Sequence, residues 1–149
     1  MSYPRVITRI TEIDAAHRLL RHEGRCKNIH GHRYRFEISL TSEMFLPKDG
    51  MVLDFSEIDD TIGRWLNYHL DHAIILEQND PLLEVMQQHG MKVHVLEKPP
   101  TAEVLAEMVA YRSREIVLSM RGEGRPEISE IKVVCYETPK CSASFTVSV

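Results

Sequence analysis

The sequence predicts an α+β domain in which helices cover one face of an antiparallel four-stranded sheet. Residues 34–41 and residues 141–149 alternate between apolar and polar side chains, as half-buried strands do. Two stretches in the middle of the chain instead repeat their apolar residues at helical spacing. The resulting order, strand, strand, helix, helix, strand, strand, is typical of α+β domains. Because the 149 residues contain no internal repeat and no Gly- or Ser-rich linker, we expect one domain over residues 1–149.

The four strands lie in two pairs at the ends of the chain. Residues Arg5–His17 are rich in Ile, Val and Thr and predict the first strand. The second covers Tyr34–Thr41 and has the tripeptide His30-Gly31-His32 at its start. Residues 131–135 and Cys141–Val149 follow the same period on either side of a proline-containing turn, so they predict an antiparallel hairpin.

The two main helices lie between these strand pairs. The first is expected to begin at an N-cap formed by Ser56, and the second at an N-cap formed by Thr101. The stretch between the helices is expected to hold a short helix around Pro81–His89 and a short strand at Lys92–Leu96.

Composition and charge exclude several classes of protein. A net charge of −4 makes the chain a poor binder of nucleic acid, and no apolar run has the ~18–20 residues of a membrane helix. The first residues lack the apolar stretch of a secretory signal, and three cysteines are too few for a disulfide framework. We therefore expect a cytoplasmic protein with reduced thiols. Residues 1–35 nevertheless carry eight Lys or Arg and three Asp or Glu, a local positive charge that suits a small anionic ligand.

Three histidines predict a metal site. His30 and His32 are two residues apart on a strand, so their side chains point to one face, with Cα atoms about 6.6 Å apart. Both imidazoles can then reach one ion, and His17 supplies a third ligand if the first two strands are neighbours. Three histidines leave one position open, which is typical of catalytic zinc. A His-x-His pair alone is weak evidence, because each histidine taken singly is also an ordinary strand or loop residue.

Cys26 lies four residues before His30, between an arginine and a lysine. Neighbouring cations favour the thiolate, which acts as a nucleophile and as a base. The same thiolate could instead be the fourth ligand of a closed, structural zinc site. Cys135 and Cys141 lie at strand positions and are expected to be packing residues.

Six short motifs follow one another over nearly the whole chain. They are Ala16-His17-Arg18, Cys26-Lys27-Asn28-Ile29-His30-Gly31-His32, Gly50-Met51-Val52-Leu53-Asp54-Phe55, Leu70-Asp71-His72, Pro100-Thr101-Ala102-Glu103 and Glu137-Thr138. As a set they resemble the 6-pyruvoyltetrahydropterin synthase and 6-carboxytetrahydropterin synthase family. The resemblance implies the tunnelling fold, in which subunits join their sheets into a ring. It also implies a homohexamer made from two trimers, with active sites at subunit interfaces.

The resemblance implies a role for each matching residue. It assigns zinc (Zn2+) to His17, His30 and His32. It assigns catalysis to Cys26, as the base, and to a relay pair formed by Asp71 and His72. It assigns substrate binding to Glu137, Thr101 and Thr138, with Glu137 as the anchor of the pterin ring.

Simpler interpretations of some of these residues stay open. Asp71-His72 is also an ordinary helix-end dipeptide, and Thr101 is also explained as an N-cap. Glu137 could have an arginine or a backbone partner. Its strand period supports the pterin, because an unpaired carboxylate at the end of an apolar face is costly, and the donor pair of a pterin would satisfy it.

The spacing of Cys26 and His30 resembles that in the bacterial 6-carboxytetrahydropterin synthases of the queuosine pathway. The implied reaction converts 7,8-dihydroneopterin triphosphate to 6-carboxytetrahydropterin, with release of acetaldehyde and triphosphate. The alternatives are a 6-pyruvoyltetrahydropterin synthase, a non-catalytic zinc-stabilised interaction module and an unrelated His-x-His iron oxygenase. The stretch Ala73–Pro99 is longer than in the small carboxy-forming members. The candidates for binding the triphosphate are Arg18, Arg21, Arg25 and Lys27.

Overall fold

The computed structural model describes residues 3–44, 46–122 and 124–149, and in these ranges the strands form one six-stranded sheet. Met1, Ser2, Phe45 and Glu123, which the predicted domain also includes, lie outside the described residues. The strands in chain order are β1 Arg5–His17, β2 His30–Ser42, β3 Ile74–Glu77, β4 Val93–Leu96, β5 Glu130–Thr138 and β6 Cys141–Ser148. Their order across the sheet is β4-β3-β1-β2-β5-β6.

The prediction of a four-stranded antiparallel sheet is wrong in strand number and in the direction of two strands. β1, β2, β5 and β6 form as expected and pair antiparallel. However, β3 pairs in parallel with the end of β1, and β4 pairs in parallel with β3. All four residues of β3 are buried, so this strand has no apolar–polar alternation and gives no period-2 signal.

The helical segments are α1 Phe55–Ile58, α2 Arg64–His69, α3 Leu82–Gln88 and α4 Ala102–Ser119. A π-helical turn over Asp59–Gly63 joins α1 to α2, and a 3-10 turn covers Arg25–Lys27. The predicted short helix and short strand between the two main helices are confirmed as α3 and β4. The short edge strand β4 extends the sheet beyond β3.

The first helix begins two residues earlier than predicted. Asp54, and not Ser56, is the N-cap, because its carboxylate accepts a hydrogen bond from the Ser56 N–H at 2.9 Å. The Glu57 carboxylate in turn accepts from the Asp54 N–H, which completes a capping box. The predicted cap of the second helix is confirmed, since the Thr101 hydroxyl accepts from the Val104 N–H.

One hydrophobic core lies between the sheet and the two main helices. On β2 the inward side chains are Tyr34, Phe36, Ile38 and Leu40, all with no exposed surface. They pack in one cluster with residues of α1, α2 and α4, such as Ile58, Leu66 and Leu105. The histidines at the start of β2 share the inward face of that strand and lie where the core ends. None of the helices in the described residues is long and apolar enough to span a membrane.

Candidate metal centre and active site

Strand register brings the three histidines together. His17, the last residue of β1, lies directly opposite His30, the first residue of β2. His32 is two residues further along β2 and points to the same face. The centroids of the three rings are 4.6, 5.0 and 5.1 Å apart, and one ring nitrogen from each lies within 4.8 Å of the other two. The convergence predicted from spacing is therefore observed.

Backbone carbonyls fix the tautomers of two of these rings. Nδ1 of His17 lies 2.7 Å from the Pro100 carbonyl oxygen, and Nδ1 of His30 lies 2.7 Å from the Asn28 carbonyl oxygen. A carbonyl only accepts hydrogen bonds, so each Nδ1 carries the proton and each Nε2 of a neutral ring presents a lone pair. The two Nε2 atoms nevertheless face each other at 3.1 Å.

The third ring is also poised for a cation. Nε2 of His32 is buried and has no hydrogen-bond partner among the described residues. Two facing lone pairs and one orphaned nitrogen are unfavourable in a buried site, and a bound metal ion would satisfy all three. Imidazole nitrogen is also a preferred ligand of zinc. The donor set therefore fits a zinc ion.

Burial disfavours the charged form of two of the three histidines. His17 is 2% exposed, and this burial lowers its pKa to about 4, an effect that the neighbouring rings of His30 and His32 reinforce. Burial also lowers the pKa of His32. At neutral pH both rings are therefore uncharged, which is the form that binds a metal.

The histidines open into a cavity of about 560 Å³ that also contains Cys26 and Glu137. Cys26 lies in the 3-10 turn between β1 and β2 and is partly buried. Glu137 lies near the end of β5, where the pairing with β6 is irregular. Its carboxylate is 26% exposed and 3.9 Å from Nε2 of His17. The structure thus places two of the sequence-predicted residues beside the three-histidine cluster.

The cavity also contains residues that sequence reasoning did not single out. Leu19 and Asn28 line it beside Arg25, which is one of the predicted triphosphate candidates, and the Pro100 and Asn28 carbonyls orient the rings of His17 and His30. A backbone carbonyl leaves no signal in the sequence, since every residue carries one.

Asp71 and His72 do not line this cavity. His72 lines a second cavity, of about 550 Å³, that shares only His32 with the first. Its backbone is left-handed, with φ at 58°, which is uncommon for a residue with a side chain and typical of functional positions. The His72 N–H donates to the Asp14 carbonyl at 2.7 Å and so holds this conformation.

The two residues are nevertheless coupled to each other. One carboxylate oxygen of Asp71 accepts from the Asp14 N–H and the other lies 2.9 Å from Nδ1 of His72. The Asp14 bond, reinforced by His72 and Lys92, lowers the pKa of Asp71. The His72 ring is thus oriented by a carboxylate, while its side chain is 78% exposed. The predicted relay pair is thus ordered and lies outside the histidine cavity of its own chain, and its catalytic role stays a prediction.

The remaining predicted residues have local partners. Thr101 caps α4, and the Thr138 hydroxyl accepts from the Lys140 N–H at 3.2 Å. Neither lines the histidine cavity, so their role in substrate binding stays a prediction. Cys135 is buried as expected, and burial raises the pKa of its thiol. Cys141 is exposed, so its prediction as a packing residue is wrong.

Comparisons with known proteins give one consistent result. The sequence model of the family described as 6-pyruvoyl tetrahydropterin synthase matches residues 6–147. The 6-carboxy-5,6,7,8-tetrahydropterin synthase of Rickettsia felis is 35% identical over 136 residues, covering 90% of this chain and 94% of that protein. The enzyme of the same name from Rickettsia conorii is 34% identical with the same coverage. The structure of Plasmodium falciparum 6-pyruvoyl tetrahydropterin synthase covers 100% of both chains with a TM-score of 0.76 and 18% identity, a likeness of fold.

Proposed function

The chain belongs to the 6-pyruvoyl tetrahydropterin synthase family, and within it we propose that the protein is a zinc-dependent 6-carboxytetrahydropterin synthase. The family resemblance drawn from the sequence motifs is thus confirmed. The reaction consumes 7,8-dihydroneopterin triphosphate and one water, and it yields 6-carboxytetrahydropterin, acetaldehyde and triphosphate. The curated relatives that cover most of the chain carry this name, which favours the carboxy-forming reaction over the pyruvoyl-forming one.

One observation carries the proposal. Three histidine nitrogens, which no fourth ligand atom joins among the described residues, lie around one cavity with a thiol and a carboxylate. A structural zinc site is closed by four protein ligands, whereas a catalytic site leaves one position to water or substrate. A cavity with an open metal position, a base and an anchor is what a metal-assisted reaction of a small molecule requires.

His17, His30 and His32 would hold the zinc ion. When bound, zinc supplies Lewis acidity toward the oxygens of the substrate side chain. Nδ1–H of His17 and Nδ1–H of His30 each donate to a backbone carbonyl, so both rings are fixed in the orientation that presents Nε2 to the cavity. Such outer partners set the tautomer and the orientation of a metal-binding ring.

Cys26 and Glu137 would act on the substrate from opposite ends. The Cys26 thiolate would remove a proton from the substrate side chain, a role that needs a base inside the cavity. Glu137 would accept two parallel hydrogen bonds from the ring N–H and the amino group of the pterin. Its carboxylate lies close enough to the histidines to place the pterin side chain over the metal position.

The triphosphate is expected at Arg25 and Lys27. Of the four basic candidates, Arg18 and Arg21 are already paired with buried carboxylates of Asp80 and Glu77. Arg25 lines the cavity, and neither it nor Lys27 forms an ion pair with any described residue. Arginine binds phosphate oxygens in two-pronged geometry.

The relay pair would serve the cavity of a second copy. His72 lines a different cavity from Cys26 in the same chain, and it is exposed and oriented by Asp71. A proton donor that is ordered yet points into solvent is explained if another subunit brings its own metal cavity to that surface. This supports an oligomer with active sites at subunit interfaces, in keeping with the proposed homohexamer. We place this oligomer in the cytoplasm, where the Cys26 thiol stays reduced.

Mixing two inactive variants tests the shared active site. Cys26→Ala and His72→Ala are each expected to be inactive alone. In oligomers assembled from equal amounts of both, about a quarter of the interface sites combine an intact Cys26 with an intact His72. Turnover is therefore expected to rise to about a quarter of the wild-type value. A mixture that stays as inactive as its components would show that both residues act within one chain.

Product mass tests the proposed reaction. The protein is incubated with 7,8-dihydroneopterin triphosphate, and the products are identified by mass spectrometry. We expect 6-carboxytetrahydropterin together with acetaldehyde. A pterin that retains all of its side-chain carbons, with no acetaldehyde, would identify a 6-pyruvoyltetrahydropterin synthase instead.

A further inference from the structure

Two buried carboxylates, one in β3 and one in the turn that follows it, form ion pairs with arginines. The side chains of Glu77, in β3, and Asp80, in the next turn, are 4% and 0% exposed. Arg18 donates two parallel hydrogen bonds to Asp80, at 2.7 and 2.6 Å, and Arg21 donates two to Glu77, at 2.7 and 3.0 Å. Arg18 comes directly after β1, which ends at His17, and Arg21 lies in the same loop.

The pair between Arg18 and Asp80 differs from an ordinary surface pair. Both charges are largely removed from water, which costs several kcal/mol per ion unless hydrogen bonds compensate for it. The bond from Arg18 lowers the pKa of Asp80 against the opposing effect of burial. A buried ion pair of this kind adds little to the free energy of unfolding, because the cost of removing both charges from water offsets their attraction. It does, however, hold its backbone segments in one arrangement, because its geometry is two-pronged and directional.

The pair between Arg18 and Asp80 fixes the end of β1, the strand that carries His17. His17 is the last residue of β1 that pairs with β2, and the chain leaves the sheet at Arg18. On its other side, β1 pairs with β3, and the Ala16 N–H donates to the Ala73 carbonyl at 2.9 Å. The carboxylate of Asp80 also accepts from the Leu82 N–H, so the turn on which Arg18 is anchored is itself ordered.

The other end of the same segment holds the ring of His17. The Gln78 N–H donates to the Leu96 carbonyl at 2.7 Å, which ties the turn after β3 to the end of β4. Four residues later, the Pro100 carbonyl accepts from Nδ1 of His17. Thus one segment, from Ile74 to Pro100, fixes both the backbone and the imidazole of this ligand.

We propose that Asp80 is a positioning residue of the metal centre and that it acts through Arg18 to hold His17 in its metal-binding place. The inference rests on the proposed zinc site and adds to it the segment Ile74–Pro100 as its support. Loss of the Asp80 charge would let the end of β1 move relative to the two other ligands. The result would be a weaker and less regular metal site in a protein that is still folded.

The test compares Asp80→Asn with Asp59→Asn. Asp59 also receives two hydrogen bonds from an arginine, Arg9, but that pair is 42% exposed on each side and contains no residue of the metal cavity. Zinc affinity is measured on each folded protein by competition with a coloured chelator. The cobalt-substituted proteins are compared by their visible absorption, which reports ligand geometry.

We expect Asp80→Asn to weaken zinc binding about tenfold and to alter the cobalt spectrum, while Asp59→Asn leaves both at wild-type values. If Asp80→Asn does not fold, Arg18→Lys is measured instead, because it keeps the charge and loses the two-pronged bond. It is expected to weaken zinc binding by a smaller factor.

Wild-type affinity and a wild-type cobalt spectrum in the folded variant would overturn the positioning role and leave the zinc site intact. A failure of the wild-type protein itself to bind zinc would overturn the proposed function and the positioning role with it.

Discussion

His30→Ala is expected to abolish zinc binding under conditions where the wild-type protein is saturated, and to lower turnover by at least about a thousandfold. The Lewis acidity of a bound metal ion is worth several kcal/mol of transition-state stabilisation, and each 1.4 kcal/mol corresponds to about a factor of ten in rate. His30 is the informative ligand to remove because its Nε2 faces Nε2 of His17 at 3.1 Å. In the metal-free protein two lone pairs oppose each other there.

The thermal stability of the variant therefore separates a metal ligand from a structural histidine. Metal-free His30→Ala is expected to unfold at or above the temperature of the metal-free wild-type protein, because the opposed lone pairs are gone. Addition of zinc should raise the unfolding temperature of the wild type and not that of the variant. His89→Ala, which removes an exposed histidine at the end of α3, is the matched control and should behave as the wild type. Zinc stabilisation of His30→Ala equal to that of the wild type would contradict the proposed ligand set.

Cys26→Ala is expected to keep its zinc and to lose about 10²–10⁴-fold in turnover, the usual contribution of a general base. Cys26 lies in the same cavity as the three histidines but is not one of the three residues whose ligand atoms converge. Its removal should therefore leave zinc affinity within a few-fold of the wild-type value. Metal content and turnover are measured on the same preparation. Cys141→Ala, which removes an exposed thiol, serves as the control and should leave both unchanged.

The same variant distinguishes the catalytic site from a structural one. If Cys26 were the fourth ligand of a closed zinc site in an interaction module, Cys26→Ala would lose zinc affinity and thermal stability as strongly as His30→Ala. Equal losses of zinc in the two variants would thus speak against catalysis. An unchanged turnover with bound zinc would speak against Cys26 as the base.

The sequence predicted those parts of the fold whose residues carry their own period. The strand β2, the C-terminal hairpin and α4 were found because half-buried strands and amphipathic helices repeat their apolar residues at a regular spacing, and β1 was found from its richness in Ile, Val and Thr. β3 was missed because Ile74–Glu77 is buried on both faces and so has no alternation. The direction of β3 and β4 was also out of reach, since strand direction depends on how a distant segment returns to the sheet rather than on local pattern.

The candidate site likewise contains residues whose placement could be predicted from the sequence and residues whose placement could not. The spacing of His30 and His32 on one strand was sufficient to predict their convergence, and register with β1 then supplied His17. The separation of Asp71 and His72 from Cys26 could not be predicted, because a sequence motif does not say on which surface of a subunit a residue lies. The ion pairs of Arg18 and Arg21 with buried carboxylates could not be predicted either. Their partners lie 62 and 56 residues away along the chain and appear in the sequence only as separate charges.

A zinc titration of the metal-stripped wild-type protein tests the central claim most directly. Bound zinc and the rate of 6-carboxytetrahydropterin formation are followed together as zinc is added. The three-histidine centre predicts that both rise in proportion and reach their plateau at one zinc per chain. Full turnover in the metal-free protein, or turnover restored by iron and not by zinc, would contradict a catalytic zinc ion at His17, His30 and His32.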